Sequence, residues 1–181
     1  LNEMYSKDIS KKVHSSYLLK AQKGQFTGCL APFGYRKDPE DKNHLLIDEE
    51  TAPIVRRLFA WALEGHGPNY IRRRLEEEKI PCPTYWNRVR GFRNVSTKWE
   101  KKDPVNGRYI WDFSVIKDIL MNPVYTGAIA SQKKEYRFKI GTIGEKKPEE
   151  WIVVENQHEP LVDRKTFDIV QRKLKSRQRP R

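Results

Sequence analysis

The sequence predicts a mainly α-helical fold with a small β component. The expected parts are an N-terminal helical arm, a helix-turn-helix-like three-helix core, a short antiparallel β element and a C-terminal helix. Apolar residues recur at helical spacing in several segments, which is the main signal for amphipathic helices. A glycine-rich break at residues 65–68 separates two of these segments, and a helix, a glycine-containing turn and a second helix are typical of a helix-turn-helix pair. Short apolar runs around a turn at residues 35–47 predict the β element.

The composition is strongly cationic. The 181 residues include 36 Lys and Arg against 24 Asp and Glu, a formal net charge of +12. Such an excess favours a polyanionic partner, and nucleic acid fits better than a membrane surface because the sequence has no long apolar stretch. Aromatic residues make up 11% of the chain, more than disordered chains usually carry, so we expect a folded protein. Cys29 and Cys82 have no C-x-x-C spacing, which predicts neither a zinc ribbon nor a disulfide framework.

Residues 3–23 predict a single long helix, which would form the arm. An apolar stripe recurs every four positions, at Ile9, Val13, Tyr17 and Ala21. A neighbouring polar stripe contains Lys12, Ser16, Lys20 and Lys23. The lysines fit either the solvated face of a packing helix or an arm that lays cations along nucleic-acid phosphates. Gly24 is a favourable helix end, so residues 1–24 are assigned to the arm.

A linker and a hairpin are predicted over residues 25–47. Glycines and a proline punctuate residues 24–35, which indicates an extended, turning backbone. Residues 35–47 contain the turn-forming run RKDPEDKN followed by the strand-like LLI, the pattern of a β-hairpin. We expect the main domain at residues 48–175 and a basic linker at residues 176–181.

Two helices are predicted on either side of the glycine-rich break. The first follows the acidic residues 48–50, whose charges complement a helix N-terminus, although Pro53 allows a start as late as Thr51. Its expected buried face consists of Val55, Leu58, Phe59 and Ala62. The second helix covers about residues 69–79 and is expected to bury Tyr70, Ile71 and Leu75.

Residues 80–109 show no clear periodicity and are predicted to form an irregular loop. The segment interleaves basic residues with Tyr85, Trp86, Phe92 and Trp99. Basic and aromatic side chains together suit nucleic acid, through phosphate contacts and base stacking. The candidate DNA-binding residues of this segment are Arg88, Arg90 and Arg93. The alternative is an ordered surface loop whose aromatic residues cover the edge of the core.

A third helix is predicted within residues 111–127, and it is the element expected to read DNA. Its apolar stripe consists of Val115, Ile116, Ile119 and Leu120. Asp112 or Ser114 is expected to cap the first turn, and Pro123 ends the helix. The opposite side carries Ser114, Lys117 and Asp118. A short helix held by its apolar side, with polar groups outward, fits a DNA major groove, whereas an ordinary packing helix is the plainer interpretation.

The rest of the chain predicts two strands and a final helix. Residues 125–132 and 151–155 are strand-like, with an exposed basic excursion between them. The last helix begins after Asp163, its expected cap. Its expected buried face consists of Phe167, Val170 and Leu174.

In their order, these segments resemble the recombinase domain of the large serine recombinases, the integrases and transposases of phages and mobile elements. The likeness is carried by KGQFTGCLAPFGY at residues 23–35, LLIDEETAPIVRRLFAWALEGHG at 45–67, the helix at 70–80, WDFSVIKDILMNPVYTG at 111–127 and ENQHEPLVDRKTFDIVQRKL at 155–174. It covers nearly the whole chain. One departure is Cys29, which stands where the family usually has glycine.

The resemblance implies how the segments would engage DNA. Residues 1–24 would be the end of the long helix that leaves a catalytic domain and crosses the minor groove, followed by the linker. The helical core would dock in the major groove. Residues 176–181 would lead into a zinc-ribbon domain.

No catalytic residue is predicted in this chain. Serine recombination needs a serine hydroxyl activated among arginines, whereas Ser6, Ser10, Ser15 and Ser16 lie on the lysine-rich helix. The histidines have no ligand-like spacing and are expected at the surface or in turns; they are His14, His44, His66 and His158. We therefore expect no bound metal and no cofactor.

The sequence thus predicts sequence-specific binding of attachment-site duplex DNA within a large serine site-specific recombinase of a mobile element. We expect the full-length protein to be a cytoplasmic enzyme that acts on DNA as a dimer or tetramer, without membrane contact. The candidate DNA-binding residues are Lys12, Ser16, Lys20, Lys23, Arg88, Arg90, Arg93, Ser114 and Lys117. A helix-turn-helix transcription regulator and a single-strand nucleic-acid-binding module stay open as alternatives.

Overall fold

The described residues form helices and short antiparallel strands, the two kinds of element that the sequence predicts. The computed structural model describes residues 2–92, 100–101, 103–137 and 140–177. The helices are α1 Asn2–Gln22, α2 Ala52–Glu64, α3 Pro68–Glu77, α4 Pro83–Val89, α5 Phe113–Met121 and α6 Arg164–Ser176. The strands are β1 Tyr35–Lys37, β2 Leu45–Ile47, β3 Ile129–Ser131, β4 Lys134–Arg137, β5 Gly141–Glu145 and β6 Ile152–Val154.

The chain divides into two compact units. The first, called here the arm unit, contains Leu1–Ala52 and Pro123–Asp163, and the second, the helical unit, contains Pro53–Asn122 and Arg164–Arg181. The arm unit holds α1 and all six strands, while the predicted three-helix core of α2, α3 and α5 belongs to the helical unit with α4 and α6. The mainly helical fold class is therefore confirmed.

The strands of the arm unit form three antiparallel pairs. The predicted hairpin is present, with β1 and β2 in a register that places Tyr35 opposite Ile47. β3 pairs with β6, and the C-terminal part of α1 packs near both strands and buries Ala21. The basic excursion forms the third pair, β4 with β5, in which Gly141 adopts a φ of +85° at the start of the second strand.

Two buried tyrosines tie distant parts of the arm unit together. The ring centroids of Tyr35 and Tyr125 lie 6.0 Å apart. The Tyr125 hydroxyl donates to the carbonyl of Phe33 at 2.9 Å, and the Tyr35 hydroxyl donates to the carbonyl of Glu159 at 2.9 Å. The backbone N–H of Leu161 donates in turn to the Tyr35 hydroxyl at 3.1 Å. Burial raises the pKa of Tyr125, which keeps its hydroxyl a donor.

The predicted strand at residues 125–132 is too long. Pro123–Thr126 forms a 3₁₀ turn, and the strand covers only Ile129–Ser131. The carbonyl of Tyr125 accepts the backbone N–H groups of both Leu161 and Val162, at 3.0 Å each, so this part of the backbone makes tertiary rather than ladder hydrogen bonds. Gly127 follows with a φ of +86°, where a side chain would also approach the backbone oxygen of His158.

His158 lies in the predicted turn, but it is buried rather than at the surface. Its Nε2 lies 2.7 Å from the carbonyl oxygen of Val124, and its ring meets that of Tyr35 edge-on at 4.8 Å. Nδ1 is buried without a hydrogen-bond partner among the described residues. Burial lowers the pKa of His158, partly opposed by the hydrogen bond to Val124, because the charged ring would lose its hydration.

Helix α2 begins at Ala52, so the acidic residues precede its first turn rather than forming it. Asp48 is buried, and its carboxylate accepts a hydrogen bond from the Thr51 hydroxyl at 2.5 Å. The same hydroxyl accepts the backbone N–H of Gly34 at 3.2 Å. Pro53 suits a first helical turn because its missing N–H would have no partner there, which explains the later start.

The helical unit is built largely on the faces that the periodicity predicts, but Val115 and Leu174 are only half-buried. Its buried apolar residues are Val55, Leu58, Phe59, Ala62, Ile71, Leu75, Cys82, Trp111, Ile116, Ile119, Leu120, Phe167 and Val170. Phe59 of α2 and Phe167 of α6 have ring centroids 6.1 Å apart. The side chain of Gln171 donates to the carbonyl of Leu120 at 2.7 Å, which satisfies an oxygen near the C-terminus of α5. Tyr70 is half-buried and stacks on His66 at 3.9 Å.

Candidate nucleic-acid interface

Helix α1 carries the predicted polar residues Lys12, Ser16 and Lys20, but it ends at Gln22, so Lys23 lies in the turn that follows. Lys12, Ser16 and Lys23 are exposed, and Lys20 is half-buried. Ser16 and Lys20 line a shallow groove of about 270 Å³ together with Thr27 and Asn43. Within the described part of the chain, none of the three lysines forms an ion pair with a carboxylate.

The apolar stripe of the same helix is mostly uncovered. Ile9, Val13 and Tyr17 are about half exposed, and only Ala21 at its end is buried. Val13 and Tyr17 instead border a groove of about 570 Å³ whose other side includes Lys134 and Lys146. Within this stripe, burial is therefore limited to the C-terminal end of the helix.

Residues 83–89 form helix α4, so the prediction of an irregular loop throughout residues 80–109 is wrong. Pro83 occupies the first turn of this helix, where proline is favourable. Arg88 is exposed, with Nε 3.9 Å from the carboxylate of Glu100. The Arg90 guanidinium lies 5.2 Å from the centre of the Trp86 ring. Arg93, the third candidate of this segment, lies outside the described residues.

Arg108, which the sequence analysis did not single out, joins Tyr85 of α4 in an aromatic and basic cluster. The guanidinium of Arg108 is 5.7 Å from the ring centre of Tyr85 and 5.4 Å from that of Tyr109, within the range of cation–π contacts. The backbone N–H of Cys82 donates to the carbonyl of Arg108 at 2.8 Å and brings the two segments together. Arg108 is 23 positions from Tyr85, so no local pattern could have revealed the contact.

Helix α5 presents the two remaining candidate residues on its outer side. Ile116, Ile119 and Leu120 are buried, whereas Ser114 is exposed and Lys117 is half-buried. The expected side-chain cap is wrong, because Asp112 occupies the N-cap position without a capping hydrogen bond from its side chain. The carbonyl of Asp112 accepts the N–H of Ile116 at 3.3 Å, so α5 begins with backbone bonding alone.

The outer side of α5 also carries residues that the prediction left out. Phe113, Lys117 and Met121 line a shallow cleft of about 150 Å³ in the helical unit. Its other lining residues are Pro68, Gln171, Leu174, Lys175 and Arg177. The signal was present in the sequence, since Phe113, Lys117 and Met121 recur every four positions.

The described candidate residues are divided between the two units. Lys12, Ser16, Lys20 and Lys23 belong to the arm unit, and Arg88, Arg90, Ser114 and Lys117 belong to the helical unit. Among the described residues, no group of three or more His, Cys, Asp or Glu side chains could hold a metal ion. No helix in the described ranges is long and apolar enough to cross a membrane.

Comparison with known proteins assigns the family. The family model described as Recombinase matches residues 49–177, which is most of the chain. A crystal structure of an LSR–DNA complex is similar over 91% of this chain and 38% of its own, with a TM-score of 0.54 and 16% identity. A structure from a study of the sequence requirements of the Listeria innocua prophage attP site is similar over 91% of this chain and 51% of its own, with a TM-score of 0.54 and 17% identity.

The chain therefore spans about 38% and 51% of the length of those two chains. At this level of identity the two structures establish the fold alone, while the family match extends over α2 to α6. Both agree with the resemblance to the recombinase domain of large serine recombinases. The chain belongs to the Recombinase family.

Proposed function

We propose that this chain binds duplex DNA sequence-specifically, at an attachment site, as the recombinase domain of a large serine site-specific recombinase. The observation that carries the proposal is the arrangement of α5 inside the matched region. Ile116, Ile119 and Leu120 fix this helix to the helical unit, while Ser114, Lys117 and Asp118 point away from the buried side. A helix held in this way can enter a major groove and present hydrogen-bonding groups to base edges.

The charge of the arm supports a phosphate-binding role. Lys12 and Lys20 lie along one stripe of α1 and Lys23 follows the helix directly, and none of the three has a carboxylate partner in the described ranges. Cations on such a stripe can follow a DNA backbone and release its counterions. In this proposal the arm and Ser16 bind beside the minor groove, and Arg88, Arg90 and Arg93 assist from the segment of residues 80–109.

The similar structures point to the same class of ligand. One is a complex of an LSR with DNA, and the other concerns a prophage attP site. By analogy, an attachment half-site is the DNA that we propose for this chain. The recombination chemistry, assembly into a dimer or tetramer on DNA, and a cytoplasmic location are proposed for the whole protein, and the nucleophilic serine is proposed to lie outside these residues.

One observation favours a second candidate function. Two arginine and aromatic clusters resemble the stacking surfaces that bind single-stranded nucleic acid. Arg108 contacts the rings of Tyr85 and Tyr109, and Arg90 contacts the ring of Trp86. Competition between a duplex and its separated strands distinguishes the two. A duplex-binding recombinase domain prefers the duplex, and a stacking platform prefers the single strand.

Selection of bound duplexes from a random pool tests the main proposal. We expect the recovered sequences to share one half-site motif, and the protein to bind that motif at least tenfold more tightly than a shuffled duplex at the same salt concentration. Recovery of unrelated sequences with uniform affinity would show that the chain binds only the DNA backbone. Preference for the separated strands would assign the single-strand function instead.

A further inference from the structure

Helix α5 exposes two large apolar side chains on the same side as its polar residues. Phe113, the first residue of the helix, is 46% exposed, and Met121, its last residue, is 41% exposed. Both border the shallow cleft described above, where Pro68 and Leu174 extend the apolar lining. Single exposed apolar residues are common, but a shared apolar lining on a surface helix indicates a contact surface.

The charges around this lining indicate what kind of partner it contacts. Lys117 stands between Phe113 and Met121, and Lys175 and Arg177 lie on the opposite side of the cleft. Arg177 donates to the backbone carbonyl of Gly65, which holds its guanidinium at this rim. A partner that complements this surface must combine negative charge with small exposed hydrocarbon groups. Duplex DNA does so, because the thymine C5 methyl group is the hydrocarbon that bases present in the major groove.

We propose that Phe113 and Met121 contact thymine methyl groups in the major groove and so determine part of the sequence preference. This inference rests on the proposed duplex-binding function and names the base that α5 selects. The two side chains are eight positions apart, about 12 Å along the helix axis. Since base pairs stack roughly 3.4 Å apart, the two residues contact different thymines, about three or four base pairs apart when α5 lies along the groove.

Asp118 lies on the same outer side of α5 and adds a second element to the proposed base preference of this helix. It is exposed and, among the described residues, forms no ion pair, in contrast to Glu78, which pairs with Arg57 and Arg74. A carboxylate beside the DNA is repelled by phosphates and accepts from the cytosine amino group. The outer side of α5 therefore favours a half-site with thymines and a cytosine at the bases that it contacts.

Uracil substitution tests the inference on the unaltered protein. Each thymine of the selected half-site is replaced in turn by deoxyuridine, which removes one methyl group and leaves base pairing intact. We expect two separated positions at which Kd rises about fourfold, the value of one buried methyl-sized group, and no change at the other thymines. In Phe113→Ala, uracil substitution is expected to leave Kd unchanged at one of the two positions, and in Met121→Ala at the other position.

Phe92→Ala is the matched control, because Phe92 is an exposed phenylalanine of the helical unit with a similar exposed fraction, 43%. It should keep both uracil effects. The inference would be overturned, and the proposed function would stand, if the selected motif contained no thymine. The same conclusion would follow if every uracil-substituted duplex bound with the Kd of the unsubstituted duplex. Failure to select any motif would overturn both. A third outcome would assign the apolar surface to a second copy of the chain. In that case the uracil duplexes bind as tightly as the parent duplex, and Phe113→Ala lowers the sedimentation coefficient of the free protein.

Discussion

The indole N–H of Trp111 donates a hydrogen bond to the backbone carbonyl of Ile80 at 2.9 Å. Trp111 is almost fully buried two residues before α5, and Ile80 follows α3. The bond therefore ties the start of α5 to the end of α3 within the helical unit. Any role of α5 in DNA recognition depends on this anchor, because the orientation of a nine-residue helix is set by what holds its ends.

Replacing Trp111 by phenylalanine should destabilise the helical unit by about 1–3 kcal/mol, because the part-buried carbonyl of Ile80 loses its donor and the smaller ring leaves space. Urea unfolding of the two proteins measures the difference. Trp86→Phe is the matched control, since the Trp86 indole nitrogen is buried without a partner among the described residues. It should change stability by less than Trp111→Phe. Equal effects would mean that ring volume, rather than the hydrogen bond, decides the result.

Lys117→Ala should weaken binding to the selected half-site by about 1–3 kcal/mol and relax the preference at one base position. A lysine on the outer side of α5 can donate hydrogen bonds to guanine O6 and N7, and alanine has no side-chain donor to replace them. Affinities for the half-site and its single-base variants measure the change. Lys165→Ala on α6 is the control, because it removes an exposed lysine of the same unit that lies on another helix. Equal weakening on every sequence would indicate that Lys117 contacts only the backbone.

Lys20→Ala should weaken binding to all duplexes alike and reduce the slope of log K against log salt by about 0.9, the value of one phosphate contact. Titrations at several salt concentrations measure the slope. Lys7→Ala is the matched control, since Lys7 is an exposed lysine on a different side of α1. An unchanged slope in Lys20→Ala would remove that lysine from the interface.

The periodic helices were predictable because each buries one side. Val55 and Leu58 in α2, and Ile116 and Ile119 in α5, recur at intervals of three, and all four are buried. Helix α4 was not predictable, since it has no buried residue and therefore no apolar stripe. Its first turn contains Pro83, and proline suits that position without marking a helix in the sequence.

The candidate interface was only partly predictable for the same physical reason. Local spacing shows which residues share a helix face, and it placed Ser114 and Lys117 together on α5. Spacing says nothing about contacts between distant segments, such as Arg108 beside Tyr85. Nor does it show that a turn histidine is buried, because the burial of His158 depends on the carbonyl of Val124, 34 positions away.

The arm unit should lose stability as the pH falls below about 6.5, the ordinary pKa of histidine. Because burial lowers the pKa of His158 in the folded state, the unfolded chain binds its proton first as the pH falls. The stability is thus complete above the unfolded pKa and declines between that value and the lower folded one, by at most about 1.4 kcal/mol per pH unit for this single group.

His158→Gln tests this, because the amide can still donate to the carbonyl of Val124 but does not titrate. Unfolding midpoints in urea between about pH 5 and 7.5 should fall with pH in the parent protein and fall less in the variant. His14→Gln is the control, since His14 is exposed on α1 and its replacement should leave the parent's pH dependence in place. If His158→Gln is as sensitive to acid as the parent, other groups cause the loss, and His158 serves only to fill and bridge the core beside Tyr35.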